Sequence, residues 1–163
     1  MPKLIRTLCA GAALIGIAAC SGQSQVASVG SVAPAFSEPT VAGNTLTMAA
    51  LKGKPVYLNF FATWCPPCNE EAPDVAAVSK EFAPQGLQVV GVDVLENASR
   101  AKKFVDEHHI TYPAVVDSGA LRDAYNINGM PVHVFIDKNG VVKKIEVGEL
   151  SKAEMIADVK MIL

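Results

Sequence analysis

The chain has 163 residues, half of them hydrophobic, and a formal net charge of −2. This near-neutral balance gives no support for binding to nucleic acid or to an anionic membrane surface, since both favour an excess of positive charge. The sequence contains no internal repeat, and its length suits one domain with its own core.

The N-terminal segment has the design of an export signal. Lys3 and Arg6 precede an apolar run at residues 8–19, which ends in small residues. This run is shorter than the roughly 20 residues that a membrane-spanning helix needs. Residues 1–19 are therefore predicted to be a signal peptide, with residues 31–163 forming the domain.

Cys20 ends the sequence Ile17-Ala18-Ala19-Cys20, which resembles the lipobox of bacterial lipoproteins. In that class the cysteine is lipidated and becomes the mature N-terminus. Cys20 is therefore predicted to anchor the chain to a membrane, facing the periplasm or extracytoplasmic space, where disulfides persist. Residues 20–30, rich in serine, glycine and glutamine, are expected to form a flexible tether. Cleavage by ordinary signal peptidase and an uncleaved anchor are the alternatives.

The domain is predicted to follow the order βαβ, an α/β insertion and then ββα, after a short hairpin within residues 35–51. Strands are expected at residues 56–61, 87–94, 113–116, 132–136 and 141–147. Helices are expected from Pro66 to before Pro84, at residues 99–108 and 121–125, and from Ser151 to the C-terminus. Ser151 and Glu154 form a capping box. This order predicts an α/β fold with a mixed central sheet flanked by helices.

Two cysteines stand between the buried first long strand and its helix, in Trp64-Cys65-Pro66-Pro67-Cys68. Residues three apart lie on one helix face, close enough for the Cα separation of a disulfide. With Cys65 as the N-cap, the positive end of the helix dipole favours its thiolate, the form that attacks disulfides. A strand, a Cys-x-x-Cys turn and a helix together indicate a thiol–disulfide exchange site.

Zinc sites, structural disulfides and peroxidase active sites also use cysteines. A zinc site needs two further ligands, and the three histidines form no second pair at the required spacing, so neither a metal nor a cofactor is predicted. A structural disulfide stays open, although so small a loop gains little entropy from closure. A peroxidase needs Thr-x-x-Cys, whereas Thr63 is separated from Cys65 by one residue.

Over residues 28–163 the chain resembles the membrane-tethered thioredoxin-like proteins of the TlpA/ResA type. Three segments carry the resemblance: the Ala-Pro-x-Phe sequence within residues 32–36, the strand and cysteines at 53–68, and Gly-Met-Pro with the following hairpin at 129–140. It implies a thioredoxin-like fold and thiol–disulfide oxidoreductase activity. The implied partners are a disulfide-containing exported protein, with apocytochrome c as one candidate, and an upstream membrane electron donor.

The resemblance also implies catalytic roles. Cys65 is expected to be exposed and to attack, and Cys68 to be more buried and to resolve the mixed disulfide. Glu71 stands where this family often places an active-site glutamate, on the helix face of Cys68, where a carboxylate disfavours the thiolate and relays its proton. A solvated Glu71 is the alternative, and Glu70 is predicted to be solvated. Asn59 lies where thioredoxin itself has a buried acid, which leaves proton transfer to Glu71.

Substrate binding is implied for three further residues. Met130 and Pro131 resemble the family's cis-proline loop, where the Met130 backbone pairs with an extended substrate segment; an ordinary trans turn is the alternative. Trp64 is predicted to shield the active-site cleft or to serve packing. His133 stands where hydroxyl residues are frequent and is interpreted as a strand residue with a satisfied ring. Residues 108–109, both histidine, are expected to face solvent at a helix end.

The sequence favours a reductant over a disulfide oxidase or isomerase. Pro66 and Pro67 remove two backbone N–H groups that would otherwise face the Cys65 thiolate, and Glu70 and Glu71 add negative charge. A less stabilised thiolate makes the disulfide harder to reduce. A non-catalytic lipoprotein, with the cysteines as a passive staple, is the remaining alternative.

Overall fold

The computed structural model describes residues 26–163. The elements in chain order are β1 (Ser37–Pro39), β2 (Thr45–Thr47), β3 (Val56–Phe61), α1 (Pro66–Phe82), β4 (Gln88–Val94), α2 (Ala98–Glu107), β5 (Ala114–Asp117), α3 (Ala120–Ala124), β6 (Val132–Ile136), β7 (Val142–Val147) and α4 (Lys152–Lys160). This is the predicted order. Most boundaries lie within a residue of their predicted positions, and the capping box at the start of α4 is present.

The central sheet has the strand order β5-β4-β3-β6-β7. Strands β3, β4 and β5 are parallel, whereas β6 is antiparallel to β3 and β7 is antiparallel to β6. Strand β3 is therefore central, and all six of its residues are buried. Strands β1 and β2 form a separate antiparallel hairpin. The predicted α/β fold with a mixed sheet is confirmed.

The two faces of β3 contribute to different apolar clusters. Leu58 and Phe60 belong to the cluster that includes Leu121 of α3. Tyr57 and Phe61 belong to the cluster that includes residues of α1, α2 and α4. Successive strand side chains alternate between faces, so Asn59 lies on the second face, under the helix that carries the cysteines.

The start of the described chain packs against the domain. Ala27 is 8% exposed, and its N–H donates to the Ala124 carbonyl at 2.8 Å. The N–H of Gly30 donates to the Val142 carbonyl at 2.8 Å. The predicted flexible tether is therefore wrong for residues 27–30, because a small apolar side chain and paired backbone groups outweigh a composition typical of linkers.

The predicted signal peptide at residues 1–19 and the predicted lipidation of Cys20 lie outside the described residues, as does the tether up to residue 25. Within residues 26–163, no helix is both long enough and apolar enough to cross a bilayer.

Candidate active site

Cys65 caps α1 and forms a disulfide with Cys68, with their Cα atoms 5.3 Å apart. The N–H of Cys65 donates to the Ala62 carbonyl at 3.1 Å, which closes the turn after β3. Pro66 and Pro67 occupy the first helical positions and have no N–H to donate. Among the described residues, the Cys68 N–H is the one hydrogen-bond donor to Cys65 Sγ, at 3.3 Å.

Both cysteines are buried in this disulfide form. Cys65 is 3% exposed and Cys68 is 2% exposed, and both belong to the apolar cluster beneath α1. The prediction of an exposed Cys65 was therefore wrong here. Its sulfur turns back over the first helical turn to accept the Cys68 N–H, so a place at the helix tip does not bring exposure.

The loop between β3 and Cys65 is held by Glu96. The Thr63 N–H donates to Glu96 Oε2 at 2.6 Å, and the Thr63 hydroxyl donates to Oε1 at 2.8 Å. Arg100 lies 3.5 Å from the same carboxylate, whose side chain is 4% exposed. Sequence reasoning missed Glu96. The usable signal was topological, because the carboxyl ends of neighbouring parallel strands meet at one edge of the sheet.

Asp93 lies beside Glu96 and is fully buried. Burial, a hydrogen bond to Glu96 and the charge of Glu96 raise the pKa of Asp93 to about 8. Burial also raises the pKa of Glu96, but hydrogen bonds from Thr63, Asp93 and Arg100 lower it overall. No donor among the described residues reaches the Asp93 oxygens. A protonated Asp93 has one O–H group, which gives one of its two oxygens a partner in the Glu96 carboxylate.

Asn69 forms a second support for the active-site loop. Its Nδ2 donates to the carbonyls of Cys65 at 2.8 Å and Thr63 at 3.1 Å. Its Oδ1 lies 3.0 Å from His108 Nε2, which must carry a hydrogen to bond there. His109 is exposed, as predicted, but the solvent-facing prediction was wrong for His108, which is half-buried at the end of α2.

The Glu71 carboxylate is buried behind the cysteines, and the residue is 2% exposed. Oε1 accepts a hydrogen bond from Asn59 Nδ2 at 3.0 Å. Oε2 accepts one from the Leu150 N–H at 3.3 Å and lies 3.3 Å from His133 Nε2. The solvated alternative for Glu71 is therefore wrong, whereas Glu70 is exposed as predicted. Cys68 and Glu71 lie three residues apart in α1 and are both buried, so they share its buried face.

His133 is fully buried next to Glu71. Its Nδ1 lies 2.8 Å from the Tyr57 hydroxyl and its Nε2 lies 3.1 Å from the Gly148 carbonyl. Both ring nitrogens thus have hydrogen-bond partners, as the interpretation of the sequence expected. The contact between the ring and Glu71 was not predicted. The register pairs Asn59 with His133, and directly opposed residues of neighbouring strands share a face.

A groove of about 640 Å³ opens beside the cysteines. Trp64 and Met130 line it together with Leu95, which follows β4, Arg122 of α3 and Asn126, which follows α3. The Met130–Pro131 peptide bond is cis. Trp64 is 66% exposed, which argues against a packing role. Within residues 26–163, no group of three or more His, Cys, Asp or Glu side chains is placed to hold a metal ion.

The sequence of the chain is similar to that of known proteins. The AhpC/TSA family matches residues 29–145. Thioredoxin-like protein YneN of Bacillus subtilis (strain 168) is 36% identical over 129 residues, which cover 77% of this chain and 75% of that protein. Thiol-disulfide oxidoreductase ResA of the same strain is 34% identical over 156 residues, covering 95% and 86%.

A solved structure agrees with these relatives. The crystal structure of a thiol:disulfide interchange protein of the thioredoxin family from Chlorobium tepidum TLS has a TM-score of 0.76 and 39% identity, covering 83% of this chain and 97% of that one. The chain belongs to the AhpC/TSA family of thioredoxin-like proteins. Within it, this protein is a thiol–disulfide oxidoreductase similar to ResA, and the Cys65–Cys68 pair is its disulfide. The predicted family resemblance and enzyme class are confirmed.

Proposed function

We propose that this enzyme reduces disulfides in exported proteins, outside the cytoplasm, while a lipid on Cys20 anchors it to a membrane. The signal-like residues 1–19 and the lipobox-like sequence ending at Cys20 support this location. Removal of residues 1–19 takes Cys9 away, and lipidation caps Cys20. Cys65 and Cys68 are then the free thiols of the mature chain.

The observation that carries the proposal is the place of Cys65 at the N-cap of α1, disulfide-bonded to Cys68, with the Glu71 carboxylate buried one turn beyond. In the reduced enzyme, the Cys65 thiolate attacks one sulfur of a substrate disulfide. A mixed disulfide forms, and the first substrate sulfur leaves as a thiolate, which takes a proton from solvent.

Cys68 then completes the transfer. Its thiol gives a proton to Glu71, and the resulting thiolate attacks Cys65 Sγ. The second substrate thiolate leaves and takes up a proton, which balances the one that Glu71 received. Two electrons have passed to the substrate, and the Cys65–Cys68 disulfide remains. Because each turnover ends in this disulfide, an upstream membrane electron donor must reduce it again.

The groove lined by Trp64 and Met130 is proposed to hold the substrate segment. An extended chain that lies along the loop at Met130 and Pro131 pairs with the loop backbone through hydrogen bonds. Trp64 offers a large exposed apolar surface beside the cysteines. Apocytochrome c is proposed as one substrate, because its haem-attachment cysteines must be reduced before haem is added.

The reducing direction is supported by the surroundings of Cys65 Sγ. A strongly stabilised thiolate favours the reduced enzyme and makes an oxidant. Here two prolines leave one backbone N–H, that of Cys68, to donate to Sγ among the described residues. The negative charge of the Glu71 carboxylate disfavours a further negative charge nearby, which includes that of the Cys65 thiolate. These features weaken the helix-dipole contribution of about 0.3–1 kcal/mol.

The test is to trap the redox state of Cys65 and Cys68 in living cells by acid quenching and alkylation with a mass-adding maleimide. Samples reduced with dithiothreitol and oxidised with diamide mark the two limits. A reductase is expected to be mostly in the dithiol form at steady state. A pair found almost entirely as the disulfide contradicts this direction and supports the oxidase or isomerase alternative.

A further inference from the structure

His133 and Glu71 come from different elements but meet behind the cysteines. His133 is the second residue of β6 and lies directly opposite Asn59 of β3. Both side chains therefore project toward α1, where Asn59 bonds Glu71 Oε1 and His133 lies 3.3 Å from Oε2. His133 is fully buried, so water does not replace this contact.

The neighbours of the imidazole fix where its hydrogen lies. Nε2 faces two acceptors, the Gly148 carbonyl at 3.1 Å and Glu71 Oε2 at 3.3 Å, so it must carry a hydrogen. Nδ1 lies 2.8 Å from the Tyr57 hydroxyl. Burial, and to a lesser degree the charge of Glu71, raises the pKa of Tyr57 well above its usual value, so the hydroxyl stays protonated and donates to Nδ1.

The resulting chain of donors runs from Tyr57 through His133 to Glu71. The Nε2–H hydrogen bond goes to the Gly148 carbonyl at 3.1 Å, and Glu71 Oε2 lies 3.3 Å from the same nitrogen. The N–H therefore keeps a partner when Glu71 takes up a proton. The ring need not move between the two states of the carboxylate. A donor with this property stabilises the charged form of Glu71 selectively.

Other ionisable groups nearby do not duplicate this function. Burial, followed by the charge of Glu71, raises the pKa of Tyr112, which keeps that hydroxyl protonated. On α4, Asp158 is paired with Lys144 of β7 at 2.8 Å. Cys68, whose thiol is proposed to give its proton to Glu71, lies on the same buried face of α1.

We propose that His133 is a positioning residue for Glu71, and that the contact of its Nε2–H with Glu71 Oε2 sets the pH range in which Cys68 resolves the mixed disulfide. The proposal rests on the proposed role of Glu71 as proton acceptor. Loss of the donor makes the carboxylate harder to form, so resolution requires a higher pH. A hydrogen bond to a charged group is strong enough to move the midpoint by about one pH unit.

The test uses the full chain with Cys9→Ser and Cys20→Ser, so that Cys65 and Cys68 are the thiols that react. The reduced protein is mixed with 5,5′-dithiobis(2-nitrobenzoate) over a pH series. The first thionitrobenzoate release reports attack by Cys65, and the second reports resolution by Cys68. The midpoint of the second phase is compared among variants.

His133→Thr removes the ring and is too short to reach Glu71, so its midpoint is expected to rise by about one pH unit, with resolution about tenfold slower below it. His133→Gln places an amide N–H near the Nε2 position and is expected to restore the wild-type midpoint. Val134→Ala truncates the neighbouring buried residue on the other face of β6 and serves as the matched control, with an unchanged midpoint.

Equal midpoints in wild type, His133→Thr and His133→Gln overturn the proposal, as does an equal shift in both variants. If His133→Thr does not fold, His133→Asn takes its place. Its shorter amide reaches the Nδ1 position and leaves no donor at the Nε2 position, so it is expected to raise the midpoint; an unchanged midpoint counts against the proposal. A single release from wild type would instead show that Cys68 does not resolve, and the proposed function itself would fail.

Discussion

Asn59 donates a hydrogen bond to Glu71 across 3.0 Å, which joins the central strand to the helix that carries the cysteines. Both side chains are buried. The family resemblance implies that Asn59 replaces a buried acid of thioredoxin, and Asn59 directly contacts Glu71, the residue predicted to take over that function. The carboxylate behind Cys68 therefore comes from α1, one turn after the thiol, and β3 supplies its hydrogen-bond donor.

The charge of Glu71 is expected to raise the pKa of the nearby cysteine thiols, since a carboxylate disfavours a thiolate. Glu71→Gln removes the charge and nearly preserves the shape. The thiol titration, followed by thiolate absorbance in the reduced protein, is expected to move to lower pH, and resolution is expected to slow. Glu81→Gln, which removes an exposed charge at the far end of α1, is the control. A Glu71→Gln titration that matches wild type contradicts the proposed role.

The two cysteines are expected to behave differently when each is replaced. Cys68→Ser leaves the attacking thiol without its resolving partner, so mixed disulfides with substrate proteins accumulate through Cys65. Cys65→Ser should capture none. Non-reducing electrophoresis of acid-quenched cells measures this directly, and equal capture by both variants contradicts the assignment.

Asp93 makes stability depend on pH. An unfolded aspartate loses its proton near pH 4, whereas the pKa of folded Asp93 is raised to about 8. The folded chain therefore binds more protons in this window, and the free energy of unfolding falls as pH rises, by up to about 1.4 kcal/mol per pH unit from this group. Asp93→Asn keeps a donor to Glu96 and is expected to remove that slope.

Urea unfolding between pH 4 and pH 8 measures the slope for wild type and Asp93→Asn. Asp123→Asn, which changes an exposed aspartate, is the control and should retain the wild-type slope. The account of Asp93 is wrong if wild type and Asp93→Asn lose stability in parallel across this range.

Local patterns were enough to predict most of the fold. The uniformly apolar residues 56–61 predict a buried central strand, and Ser151 with Glu154 predicts the start of α4, because each signal depends on neighbours in sequence. The signals for the cysteine pair and for the helix that begins at Pro66 also depend only on neighbouring residues. Cys65 at the N-cap required no knowledge of the rest of the chain.

The polar contacts around the site join elements that are far apart in the sequence. The elements were predicted, but the contacts between them were not. Glu96 reaches Thr63 because β4 lies beside β3, and His133 reaches Glu71 because β6 pairs with β3 in one particular register. Neither the strand order nor the register follows from composition. Burial of Cys65 was missed for a related reason, since the position of one sulfur depends on the backbone geometry of the turn.

The proposed anchor is tested at Cys20. Cys20→Ala is expected to release a soluble exported protein or to leave an unprocessed precursor, because the lipidated residue is lost. Fractionation of cells and mass spectrometry of the native mature N-terminus follow the outcome. An unmodified N-terminus at any residue other than Cys20 contradicts lipid anchoring.

The central claim is that the Cys65–Cys68 pair donates electrons, and its reduction potential tests this most directly. The full chain with Cys9→Ser and Cys20→Ser is equilibrated with defined ratios of reduced and oxidised glutathione, and the dithiol fraction is measured by alkylation. Within residues 26–163, one backbone N–H donates to Cys65 Sγ, and the Glu71 carboxylate lies nearby. The potential is therefore expected to lie well below about −120 mV, toward the thioredoxin value of about −270 mV. A potential near −120 mV would contradict the reductase account and favour a disulfide oxidase.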